Sequence, residues 1–207
     1  MGARTSRRAA PRPADRRLAR SAATRTAVVE ALLALLGEGD LRPPMPRIAA
    51  RAGVSRRSVF QHFADREALL TAAATVQQER LAALAAPLDP RAPLAARAAA
   101  LAAQRARVFE FIAPVRQAAL LIAAESPVIA ARLTAMRAEQ RAEVAGLFAA
   151  ELRRLPAAQR RPRAAALAVL CGFSSWQALR QHQGLSVAAS RRAVEAGILA
   201  LVRPGRA

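Results

Sequence analysis

The sequence predicts an all-α protein in two parts, a small N-terminal unit built on a helix-turn-helix and a larger helical domain behind it. Three observations carry that expectation. Apolar residues recur at helical spacing along the chain, and no run of alternating Val, Ile and Thr competes as a strand. Ala-rich segments set between Pro and Gly breakers favour helix. The run from Ile48 to Phe63 reads as two short helices joined by a tight turn, and a chain of 207 residues leaves room for a second domain beyond it.

Residues 1–20 hold seven Arg against Asp15, without apolar periodicity, and are expected to form a disordered arm: a solubilising tail, or an arm that follows phosphates or enters a minor groove. Val28, Leu32, Leu35 and Leu36 then make the apolar stripe of a first helix, and Gly37 and Gly39 end it. Pro46 suits the first turn of a second helix, where its missing N–H would be unpaired anyway. Ala49 is small where two crossing helices must approach, Gly53 allows the positive φ of a sharp turn, and Val59 falls where the next helix packs back. Ser55 is placed to cap that helix. Asp65 offers the cap of a fourth helix, with Glu67 near its positive end and Leu69, Leu70, Ala73 and Val76 on its buried side. It should reach about Ala86, before Pro87, Pro90 and Pro93 break the chain. Five more helices are expected at 94–111, 115–124, 127–154, 162–182 and 187–202, separated by Pro114, Ser126-Pro127, Pro156, Pro162 and Gly184-Leu185-Ser186. The expected domains are 1–20, 21–66 and 67–207, with 67–86 as a connecting helix.

A net charge of +19 calls for an anionic partner, of which nucleic acid is the commonest for a helical protein. The excess is spread along the chain: residues 1–66 hold 14 Arg and 5 acids, residues 67–207 hold 19 Arg and 9 acids, and there is no Lys. Most of these arginines belong to solvated helix faces. Those that open the helix after Ser55 have a positional reason, because Arg56, Arg57 and Ser58, with Gln61 and His62 on the same exposed side, can reach base edges and phosphates in a major groove.

The ordered series Thr24 to Leu32, Ile48-Ala49, Ala52-Gly53-Val54-Ser55 and Val59 to Leu70 resembles the N-terminal DNA-binding domain of the tetracycline-repressor (TetR) family of bacterial transcriptional regulators. The likeness runs from about Ala22 to Ala74, and the rest of the chain fits by being helical and of suitable length. Phe60 stands where the family usually has Tyr, so a phosphate-contacting hydroxyl is missing, and Arg66 stands where Lys is usual. Arg42-Pro43-Pro44-Met45-Pro46 replaces the usual Ser or Thr cap. The resemblance implies a three-helix DNA-binding domain followed by a helical ligand-binding and dimerisation domain. The residues expected at DNA are Arg25, Arg47, Ser55, Arg56, Arg57, Ser58, Phe60, Gln61, His62 and Arg66. It also implies a small-molecule pocket in the second domain, for which Phe109, Phe111, Met136, Phe148, Phe173 and Trp176 supply the large side chains and Arg116 a partner for an acidic group. A homodimer would pair the uncharged stretch Ala164–Leu179 and the stripe Val187, Val194, Ile198, Leu201 with the same elements of a second copy, Gly172 and Gly197 allowing close approach. The alternative is that both complete the monomer's own core.

Enzymatic chemistry has poor candidates. His62, His182 and Cys171 show no spacing that aligns a nucleophile, a base and an orienter, and no phosphate-binding Gly loop or Cys/His metal cluster is present, so neither cofactor nor metal is expected. A lone Cys fits a reducing cytoplasm. Met1-Gly2 with Ser6, and Arg7-Arg8, lack the apolar segment that export requires, and Ala164–Leu179 is too short for a membrane span. The expected function is that of a cytoplasmic, homodimeric, ligand-responsive repressor on a palindromic double-stranded operator. The other classes are an architectural DNA-binding protein without an effector and a helical interaction scaffold.

Overall fold

The computed structural model describes residues 12–82 and 86–203, and every regular element among them is helical. Two compact units meet within one helix, the first ending at Ala73 and the second beginning at Ala74.

The first unit holds α1 (Pro13–Gly37), α2 (Met45–Ala52), α3 (Arg56–His62) and the start of α4 (Arg66–Ala82). Its core is Val28, Leu32, Leu35 and Leu36 of α1 closed by Ile48, Ala49, Val59, Phe63, Leu69 and Leu70, all buried. Between α2 and α3 the chain turns at Gly53, whose φ of 67° is left-handed, with Val54 N–H donating to the Ala49 carbonyl at 3.0 Å. The expected disordered arm needs correction. Residues 13–20 are helical, because Pro13 opens α1 in a position that needs no donor and the Asp15 carboxylate accepts the Arg12 N–H at 3.1 Å. Ala and Arg propensity then extends the helix without an apolar stripe. The expectation for residues 1–11 lies outside the described residues.

In the second unit α5 (Leu94–Ile122) is the central helix, surrounded by α6 (Pro127–Leu147), α7 (Ala149–Arg154), α8 (Ala157–Leu170), α9 (Phe173–Gln177) and α10 (Val187–Val202), with one wide turn at Ala178–His182 after α9. The separate helices expected at 94–111 and 115–124 are one. Pro114 lies inside α5, where burial of Ile112, Val115, Ala118 and Ala119 on the same helix outweighs its missing donor. Near that site Gln77 of α4 donates to the Phe111 carbonyl at 3.1 Å. The single helix expected at 127–154 divides at Phe148, a wholly buried ring over which the Arg97 guanidinium lies 5.5 Å from the centroid. Arg97 also holds Glu151 through two bonds of 2.5 and 3.1 Å, and its neighbourhood pulls the Glu151 carboxyl below its ordinary pKa, chiefly through the Arg97 hydrogen bond. A pair this dry must stay intact, since one partner left alone costs about 3–5 kcal/mol.

The helix expected at 162–182 starts earlier and breaks in the middle. Pro156 caps α8, Pro162 lies within it, and the helix ends at Cys171-Gly172, where the Ser175 hydroxyl takes up the Val169 carbonyl at 2.6 Å. Residues 187–202 are helical as expected, but the apolar stripe of α10 points into its own chain: Val194, Ile198 and Val202 are buried in the core formed with α5 and α8. Gly197 permits that packing, because a Cβ there would lie 2.7 Å from the Leu170 Cδ2 of α8. Of the expected stripe Val194 and Ile198 are therefore internal, Leu201 is half-buried and Val187 is exposed, and beyond the polar start of α8 its solvent-facing residues are Ala165, Ala166 and Val169, the last 69% exposed. The fourth helix, expected to reach Ala86, is helical to Ala82, and residues 83–85 lie outside the described residues.

Candidate nucleic-acid interface and ligand cavity

Helix α3 is seven residues long and is fixed at both ends. At its start Ser55 has extended backbone and its Oγ accepts the Ser58 N–H at 3.1 Å, while the two hydroxyls lie 2.9 Å apart. This satisfies one of the helix's orphan donors and engages the Ser58 hydroxyl in the cap. Val59 is wholly buried and sets the rotation of the helix. Arg56, Arg57, Phe60 and Gln61 are consequently exposed, and Ser58 and His62 are half-buried. Phe60, 48% exposed, is a large apolar group in the middle of a charged surface.

Two of the other residues expected at DNA have local partners. Arg47 reaches Asp40 at 2.9 Å, and the Arg25 guanidinium lies 5.1 Å from the centre of the Phe63 ring. Arg66 is half-buried at the start of α4, where Asp65 Oδ1 accepts the Ala68 N–H at 2.7 Å. One feature escaped the sequence: Arg51 grips Glu38 with bonds of 2.6 and 3.2 Å, tying α2 to the turn after α1 and lowering the Glu38 pKa through that hydrogen bond. Residues 13 apart in sequence carry no periodic signal for such a pair. Two helices and a turn are thus braced around an exposed face of α3 bearing two arginines that enter no ion pair among the described residues, an amide and an aromatic ring, a set able to bind phosphate and donate to base edges.

In the second unit the residues expected to line a pocket separate into two groups. Phe109, Phe148 and Trp176 are core: Phe109 meets Phe173 edge-on at 5.6 Å, and the Trp176 indole N–H donates to Glu110 at 2.8 Å. Phe111 is half-buried against the same core. Arg116 and Phe173 instead line a cavity of about 360 Å³ among α5, α6, α8 and the start of α9. Met136 lies behind Arg116, its sulfur 3.0 Å from Nη1. The sequence reading missed Arg137 and Arg141 on the cavity wall, although their spacing of four places them on one face of α6. Arg116 is 6% exposed, and burial, with Arg137 nearby, lowers its pKa. Burial raises the thiol of Cys171, which packs in the core, to about 12. No helix of the described residues is long and apolar enough to cross a membrane.

Residues 28–73 match the family described as bacterial regulatory proteins, tetR family. Solved structures share the fold over nearly the whole chain. A transcriptional regulator from Rhodococcus sp. Rha1 is 18% identical with a TM-score of 0.64, the likeness covering 88% of this chain and 95% of that one. A protein described as a TetR-family transcriptional regulator from Rhodococcus sp. is 18% identical with a TM-score of 0.65, covering 87% and 99%. Another so described, from Mesorhizobium loti, is 19% identical with a TM-score of 0.60, covering 88% and 96%. Identities this low carry the fold alone. No curated protein matches the chain in sequence.

Proposed function

We propose, from the premise that the chain is a DNA-binding transcriptional regulator of the TetR family, that it is a cytoplasmic repressor which binds a palindromic operator as a homodimer and releases it when a small molecule occupies the second unit. The observation that carries the DNA-reading part is the exposed face of α3, with Arg56, Arg57 and Gln61 turned outward by the burial of Val59. Charge alone would equally serve an architectural protein without sequence preference. Braced base-reading groups favour a specific reader.

Release is a choice between states. An effector that prefers an arrangement in which the two reading heads no longer match adjacent major grooves lowers operator affinity by its preference, about 1–3 kcal/mol for a typical coupling. The bond from Gln77 of α4 to the Phe111 carbonyl of α5, five residues before Arg116, supports α4 as the element that responds. Reciprocity tests the coupling: operator must weaken effector binding by the factor that effector weakens operator binding, and an effector whose affinity ignores saturating operator would sink the mechanism.

Dimerisation is proposed through the apolar outer face of α8. Ala166 is exposed within one chain and does not line the cavity. Ala166→Glu is therefore expected to leave the protomer folded, to give monomers in sedimentation, and to weaken operator binding. A folded variant that sediments as a dimer would place the interface elsewhere.

A further inference from the structure

The cavity among α5, α6, α8 and α9 is built unlike an apolar pocket. Arg116 is 94% buried by its 6% exposure, and it enters no ion pair with any described carboxylate. Its contacts are the Met136 sulfur at 3.0 Å, a weak acceptor, and the Phe173 ring, 5.8 Å to the centroid, while Nε has no hydrogen-bond partner. The other two buried guanidiniums among the described residues of the unit each have a carboxylate: Arg97 holds Glu151 and Arg105 holds Glu143 at 2.6 Å. A buried cation without a counter-charge is costly, and a chain that pairs two such groups and leaves the third open to a cavity has left room for an anion.

The rest of the wall agrees. Arg137 and Arg141 bring two more cations, neither in an ion pair with a described residue, and Gln140, Ser174 and Ser175 add neutral polar groups. Leu120, Val169 and Phe173 supply an apolar side, and about 360 Å³ accommodates more than an inorganic ion. We infer that the cavity binds an organic anion, its charged group on the Arg116 guanidinium and its apolar body against Leu120, Val169 and Phe173. This rests on the reading that the second unit takes an effector, and gives that effector its chemical class.

A matched pair of fluorescent probes tests it on the full chain: anilinonaphthalene sulfonate, and N-phenylnaphthylamine, the same aromatic body without the charge. The wild type should bind the sulfonate about tenfold or more tighter than the neutral dye, as a charge-assisted bond to a buried guanidinium requires. Arg116→Met should remove that preference and leave the neutral dye bound. It should also raise the melting temperature of the ligand-free protein, because an unpaired buried charge has become an apolar side chain; a merely structural arginine would lower it. Arg116→Lys, which keeps the charge, should retain the preference and so separates charge from packing if the Met variant fails to fold. A sulfonate affinity unchanged in both variants, with the neutral dye still bound, would overturn the anion assignment and leave the effector cavity standing. Failure of both dyes to bind the wild type would overturn the cavity as well. Inorganic sulfate that displaces the dye at equal concentration would show a bare anion site and overturn the organic class.

Discussion

Arg57→Ala is expected to lower affinity for a selected operator by about 1–3 kcal/mol, roughly five- to 150-fold, and to relax the preference at one base position in each half-site. The size follows from what a forked donor loses at a base edge, a bidentate pair that Ala cannot replace. Folding should be unaffected, because Arg57 is exposed and the helix keeps its Ser55 cap and its buried Val59. Arg66→Ala makes the control if Arg66 meets phosphate, since such a contact carries no sequence information: cognate and random duplexes should then weaken about equally, and the slope of log affinity against log salt should flatten by about one. Fluorescence anisotropy over a salt series reads both. Equal losses on cognate and random duplex for Arg57→Ala would remove it from base reading, and the architectural alternative would gain.

The parts of the fold that were legible in the sequence are those fixed by local chemistry. Gly53 at positive φ, Ser55 and Asp65 as caps, and the limits of α10 each depend on neighbours within a few residues, so the sequence displays them directly. The misplaced boundaries are those at which tertiary packing overrules a local rule. Pro114 and Pro162 read as breakers, yet both lie inside helices, because a proline removes one donor while the surrounding helix buries many apolar groups. Phe148 and Gly172 interrupt helices that nothing local interrupts, one because its ring fills the core under Arg97, the other where Ser175 takes over a carbonyl. The exposed face of α3 was legible because Val59 and the turn fix its rotation. The cavity was only half legible: Arg116 and Phe173 could be named, but that Arg116 lacks the carboxylate which Arg97 and Arg105 each have is a relation between distant residues, visible only once the helices are packed.

The same limit governs the α10 stripe, and Ile198→Glu measures it. An apolar stripe that meets a second subunit and one that meets its own core have identical spacing, so sequence periodicity cannot separate them. Burial does: Ile198 is 0% exposed within a single chain, Val194 and Val202 flank it on the same face, and Gly197 beside it lets α10 approach Leu170 of α8. A carboxylate at that position is shut off from solvent. It must either be buried neutral with lost packing or drive α10 off the unit, a cost on the order of 4–5 kcal/mol or more against a total stability of about 5–15. Ile198→Glu is therefore expected to lose the cooperative melt of the second unit in circular dichroism and to aggregate, whereas Ala166→Glu on the outer face of α8 keeps its melt while losing the dimer and, with it, operator affinity. If Ile198→Glu instead gave a folded monomer with the wild-type melting temperature, the stripe would have to be the intersubunit surface and the packing of α10 on α5 and α8 would be wrong. The two variants place the same charge on neighbouring helices, so the contrast between them isolates burial from composition as the property that decides which surface is core.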